Sequence, residues 1–278
     1  YKHQWVAFAL MAGTLAVAPM WVYPVFLMKV MCFALFASAF NLLIGFTGLL
    51  SFGHAMFFGF SAYVAAHAAK VWGLTPELAV VCGTLSATAI GIVTGWLAVR
   101  RQGIYFAMVT LALAQMIYFI CVQAPFTYAE DGIQGVPRGQ LLGLFALAND
   151  TVMYYFVLGV FLIGFLLIHR IVHSPFGQVL KSIRENEARA LSLGYHVDRY
   201  KLMAFVLSAT IAGMAGAYGN VGGVFFLTVL SFVSPMTFFF VIAGVSALAF
   251  VAAQFLDEPR GHMVEIDEHG NVQMIAVE

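Results

Sequence analysis

The side chains able to do chemistry in this chain are few, and they form two groups. The first is polar and sits inside apolar stretches: Asn41, Ser51, His54, Tyr63, Thr110 and Gln115. Such groups exchange hydrogen bonds with a small solute and are candidates to line its path through a membrane. His54 lies in Ser51-Phe52-Gly53-His54-Ala55-Met56-Phe57-Phe58-Gly59-Phe60-Ser61-Ala62-Tyr63. A lone histidine near a helix start is more often a hydrogen-bonded packing residue; a solute contact on a transport path is the alternative. Thr110 and Gln115 are open in the same way, toward the path or toward a neighbouring helix. The second group is charged. Arg170, Lys181, Arg184, Arg189, Arg199 and Lys201 are six of the thirteen basic residues, and Glu185 and Glu187 stand among them.

Neither group forms a catalytic constellation. Cys32, Cys82 and Cys121 lie within apolar runs and read as small buried hydrophobes rather than as a disulfide or metal ligands. His262 and His269 stand among carboxylates, at a spacing that fits no common metal site. The phosphate-cradling pattern GxxxxGK[ST] is absent from the sequence, so the chain calls for no cofactor, and any ATP must bind elsewhere. A formal net charge of zero gives no field to attract nucleic acid.

Composition dictates what must hold these residues. With 62% hydrophobic and 9% charged residues and a mean hydropathy of +0.93, the 278 residues cannot clothe a water-soluble surface. Lipid must solvate them. Charge-free runs extend over 30–69, 102–129 and 202–256, and between 139 and 168 the only charge is Asp150. A span takes about 20 apolar residues, and runs apolar on every side are helices rather than the alternating strands of a barrel. The fold class is therefore all-α, a polytopic transmembrane bundle of about eight helices near 5–22, 25–47, 49–69, 77–99, 103–123, 151–170, 202–219 and 224–254. The cluster Gly216, Tyr218, Gly219, Asn220, Gly222 and Gly223 reads as a turn between the last two.

Glycines 45, 48, 53 and 59 flank the boundary between the second and third spans and predict a break or tight crossing there. The break would be either a short interrupted helix beside the solute path or an ordinary hairpin. Gly91 with Gly95, Ala209 with Gly213 and Ala212 with Gly216 are small-xxx-small pairs suited to close helix packing. The basic segment 170–201 belongs in the cytoplasm by charge bias, which places the amino terminus and the polar tail inside as well. Ala16-Val17-Ala18 resembles a signal-peptide cleavage site, but apolar character resumes after Pro19 and Pro24, as for a first membrane helix. The first residue is Tyr, which suggests a natural start further upstream.

Between the sixth and seventh spans, Ser174 to Gly194 predicts a short surface helix over Ile183–Leu193, stopped at Gly194. This loop, Arg101-Gln102-Gly103-Ile104-Tyr105-Phe106-Ala107-Met108-Val109-Thr110-Leu111-Ala112, the Gly-His-Ala-Met-Phe-Phe-Gly segment and Glu130-Asp131-Gly132-Ile133-Gln134-Gly135-Val136-Pro137 resemble the permease subunits of bacterial branched-chain amino-acid ABC transporters. The resemblance covers roughly residues 5–218. It implies an importer permease in the bacterial inner membrane, paired with a second permease, driven by two cytoplasmic ATPase subunits and fed by a periplasmic solute-binding protein. Arg184, Glu185, Glu187, Arg189 and Gly194 would then belong to the loop that docks into an ATPase. Urea or amide importer permeases stay open.

Beyond Gly216, the motifs Tyr218-Gly219-Asn220-Val221-Gly222-Gly223-Val224-Phe225-Phe226 and Phe255-Leu256-Asp257-Glu258-Pro259-Arg260-Gly261-His262-Met263 resemble the end of nitrate/nitrite porters of the major facilitator superfamily. On that basis the chain divides into a permease-like part (1–218), a terminal membrane helix of different resemblance (219–256) and a polar tail (257–278). A secondary carrier fragment, or an inactive fusion joined near 212–220, follows as the rival reading. In the tail, Asp267-Glu268-His269-Gly270-Asn271-Val272 reads as a turn between short extended runs.

Overall fold

The computed structural model describes residues 2–101, 103–128 and 149–221, a few positions between 133 and 146, and the tail segments 262–266 and 272–276. The span predicted at 224–254 and most of the Glu130–Pro137 motif lie outside these residues. Among the described residues there are nine α-helices. They are α1 (Lys2–Val17), α2 (Pro24–Thr47), α3 (Ala55–Lys70), α4 (Pro76–Ala98), α5 (Ile104–Gln123), α6 (Asp150–Val172), α7 (Pro175–Glu185), α8 (Glu187–Ser192) and α9 (Val197–Val221). Five of them, α2, α4, α5, α6 and α9, are long and apolar enough to cross a membrane. The helices α1 and α3, at 16 residues each, are shorter. Seven predicted spans thus have a helical counterpart.

Local chemistry sets the helix limits. Pro24, Pro76 and Pro175 each occupy the first turn of a helix, where a missing N–H costs nothing. Asn149 opens α6 by accepting a hydrogen bond from the Thr151 N–H, and Ser174 does the same for Gly177 at α7. Pro19 ends the first span early, in a 3-10 turn over Ala18–Met20.

The core of the first unit, residues 1–225, is organised around α9. Two-thirds (67%) of its most apolar window is buried, against 22% for α5. One face of α9 carries small residues, and this face meets α2, α3 and α4. Gly216 lies so close to the Phe58 carbonyl that an added Cβ would collide with it. Gly91 and Gly95 of α4 face Ala209 and Phe205 of α9, as the small-residue pairs predicted. Hydrogen bonds cross the same contacts: Thr88 and Thr210 share a half-buried one between hydroxyls at 2.9 Å, and the buried Cys32 thiol donates to the Ala215 carbonyl at 3.0 Å. The Tyr154 hydroxyl donates to the Leu15 carbonyl and ties α6 to α1.

Two expectations need correction. The Gly216–Asn220 segment is not a turn but the helical end of α9, because Gly216 serves close packing against α3 and Gly219 against Cys32 of α2 rather than chain reversal. The helix predicted over Ile183–Leu193 is divided into α7 and α8 at Asn186, which leaves helical geometry (φ −155°, ψ 100°) and caps α8 with its own side chain. Gly194 does stop α8, at φ +86°. In the second unit, β3 (His262–Ile266) pairs antiparallel with β4 (Val272–Ala276), with Ile266 opposite Val272, so the extended runs flanking 267–271 agree with the sequence. A short pair, β1 (Gln140–Leu141) and β2 (Phe145–Ala146), lies between α5 and α6.

The seat of α9 gives a direct test. Gly216→Ala must push α9 away from the Phe58 backbone and should destabilise the fold by about 1–3 kcal/mol. Gly159→Ala on α6, where an added Cβ meets nothing within 4 Å, should leave the fold unharmed. Thermal unfolding of the detergent-solubilised chain distinguishes them; equal melting temperatures would refute the close contact.

Candidate functional site

Between α2 and α3 seven residues, 48–54, lie outside any helix. Gly48 caps α2 in the left-handed region (φ 72°), which favours glycine, and α3 begins only at Ala55. This irregular segment is held against α5. The Phe52 N–H donates to the Thr110 hydroxyl at 3.2 Å, and Thr110 in turn donates to the Ala107 carbonyl at 2.9 Å. Thr110 is six residues into α5, about 9 Å from its start at 1.5 Å per residue. Gly53 presses against the Thr110 carbonyl, where no Cβ would fit. Irregular backbone at such depth is tolerated only when enclosed by protein or lining a cavity. The break expected at the glycine-rich boundary is present, as the non-helical segment between α2 and α3.

His54 closes the segment and is 2% exposed. Its Nε2 lies 2.9 Å from the Ser208 hydroxyl of α9, which donates its one proton to the Ala39 carbonyl of α2. Nε2 therefore carries the proton and donates it, which leaves Nδ1 as an acceptor with no hydrogen-bond partner among the described residues. Phe36, Phe40, Phe57 and Phe205 surround the ring at centroid distances of 5.3–6.4 Å. One imidazole thus joins α2, the break and α9. The Ser51 hydroxyl is likewise buried without a partner among the described residues.

The six candidate path residues are only partly brought together. Ser51, His54 and Thr110 converge at the break, whereas Asn41 and Gln115 are exposed on α2 and α5, and Tyr63 is half-buried two turns further along α3. Thr110 and His54 both bond to neighbouring segments, the alternative that the sequence left open for them. Ser208 was missed, because a serine in a helix rich in small residues carries no distinguishing signal.

The α7–α8 loop forms the second locus. Ile183, Ala190 and Val197 bury one another, with Val179 and Tyr200 packed against them, and Phe176 stacks on Tyr200 at 5.7 Å. Arg184 donates through Nη1 to the Gly45 carbonyl in the last turn of α2, and the Lys181 ammonium lies 5.6 Å from the Phe46 ring centroid. Glu187 receives the Lys201 ammonium of α9 at 2.7 Å. Glu185, Arg189 and Gly194 are exposed, as are the apolar Leu191 and Leu193 (56% and 68%). Sequence reasoning passed over these two leucines as ordinary helix formers; two apolar side chains held outward on a charged loop are the signal that could have found them.

A bundle with five membrane-length helices and an ordered charged loop defines a multi-pass membrane protein. The chain belongs to the branched-chain amino acid transport system / permease component family, whose sequence model matches residues 24–256. That match continues past residue 218, where the recognisable motifs end. The chain is similar to the high-affinity branched-chain amino acid transport system permease protein LivM of Escherichia coli (strain K12), 28% identical over 233 residues covering 76% of this chain and 53% of the relative. LivM of Salmonella typhimurium is 29% identical over the same coverage. The chain thus spans about half the length of these curated relatives. A short stretch of 53 residues, 18% of this chain and 10% of the relative, is 51% identical to the nitrate/nitrite transporter NrtP of Nostoc punctiforme. No solved structure matches.

The anchoring of the break can be measured. Thr110→Val keeps the volume but leaves the Phe52 N–H unpaired, at a cost of about 1–3 kcal/mol. Thiol labelling of a Ser51→Cys reporter should then accelerate; an unchanged labelling rate would show that Thr110 does not hold the segment.

Proposed function

We propose that this chain is the membrane-spanning permease subunit of an ATP-driven importer for branched-chain or related small amino acids in the bacterial inner membrane. A second permease subunit, two cytoplasmic ATPase subunits and a periplasmic solute-binding protein complete the assembly. The observation that carries this reading is the α7–α8 loop: an ordered, partly apolar surface tied by side chains to two different membrane helices. Such an element suits transmission of a partner's motion into the bundle, because packed elements shift as bodies. With the loop and its basic residues in the cytoplasm, the amino terminus and the tail lie on the same side.

In this reading Leu191 and Leu193 are the apolar anchors that enter an ATPase groove, while Glu185 and Arg189 set orientation around them and Gly194 ends the docking helix. The solute path runs beside the α2–α3 break, where Ser51, His54 and Thr110 meet, with Asn41, Tyr63 and Gln115 as polar positions further along it. Charge is nearly absent from these helices, consistent with energy supplied from outside the bundle rather than by an ion passing through it.

Co-purification tests docking. Leu193→Asp with Arg189→Glu should lower ATPase capture at least tenfold, since a buried anchor contributes about 2 kcal/mol or more. Full capture with undiminished amino-acid uptake in proteoliposomes would refute the assignment.

A further inference from the structure

The loop is held at two points, and the second has no evident need in the fold. Lys201 is 4% exposed, and its ammonium meets Glu187, the first residue of α8, at 2.7 Å. Burying an ion pair gains little stability over apolar residues of the same volume, because desolvation offsets the attraction. What the pair supplies is position. A helix of six residues does not hold itself together, and α8 adds only Ala190 to the buried cluster beneath the loop. Its place relative to α9 therefore depends on Glu187.

On the opposite side Arg184, at the end of α7, donates to the Gly45 carbonyl of α2, and its Cγ stands 3.3 Å from where a Cβ at Gly48 would be. Both contacts line one cavity of about 250 Å³, together with Thr47, Leu49 and Gly103. The end of α2 and the starts of α5 and α9 thus meet at this point. Gly48 and Leu49 lead directly into the broken segment, and α5 carries Thr110, which holds it.

We propose that Lys201 is a positioning residue for coupling. With Glu187 it clamps the α7–α8 loop to the start of α9, so that displacement of the loop reaches the α2–α3 break through Arg184 and Gly45. This rests on the reading of the loop as an ATPase-docking element. Lys201 itself lies outside the docking surface and outside the solute path.

The test uses the chain reconstituted with its permease and ATPase partners in proteoliposomes, comparing Lys201→Met, Glu187→Gln and the exchanged pair K201E/E187K. Lys201→Met should still capture the ATPase, and both single variants should transport fewer solute molecules per ATP hydrolysed by about 5–150-fold, the usual span of an inter-site coupling. The exchanged pair should regain much of that ratio, which a merely folded but unclamped loop would not. Single variants that match the parent chain, or an exchanged pair no better than either single, would overturn the clamp. If the parent chain captures no ATPase, the docking reading fails instead. The clamp is then read from the chain alone, as backbone hydrogen exchange over 187–193, expected to quicken about tenfold in Lys201→Met and to recover in the exchanged pair. Exchange that does not respond would overturn it.

Discussion

Lipid removes most of the hydrophobic drive that packs helices in water, so closeness of backbones decides which helices associate. In this chain α9 provides that closeness. Its small-residue face lets α2, α3 and α4 approach from three sides, and every other feature is set by that approach. Because α9 is fixed, Ser208 is fixed, and with it His54 and the irregular segment between α2 and α3. The start of α9 likewise fixes Val197, Tyr200 and Lys201, around which the α7–α8 loop is assembled.

Some polar groups inside the bundle pair helix with helix, as Thr88 does with Thr210, and others serve the segment where the chain departs from regular helix. Thr110 satisfies the Phe52 N–H, and Ser208 bridges His54 to Ala39. Two of the buried polar atoms left without a hydrogen-bond partner among the described residues, His54 Nδ1 and Ser51 Oγ, sit on the same short segment. Unsatisfied polar groups are costly away from water, and two of them fall within this one short segment.

The amount legible in the sequence differed with the range of the forces involved. Helix positions were readable because spanning hydrocarbon demands long apolar runs; the limits at Pro24, Pro76 and Gly48 fell within a residue of the structure. The loop's stop at Gly194 was also local and readable. The division of α7 from α8 was not, because Asn186 serves equally well inside a polar helix or as a cap, and only the packing of Ala190 and Glu187 against α9 decides. The turn expected at Gly216 failed for a related reason: glycine signals both chain reversal and close approach, and the partner backbone at Phe58 is distant in sequence. For the site, residue type marked His54 and Thr110, but helical phase about an unknown neighbour placed Gln115 and Asn41 on the outside.

Asn186 has a mechanical meaning. On one side of it, α7 grips the end of α2 through Arg184 and Lys181; on the other, α8 grips α9 through Glu187. A single continuous helix would be a rod, able only to push both attachments together. Two short helices meeting at one extended residue make an elbow, so any change in the separation of α2 and α9 is concentrated as rotation about the Asn186 backbone.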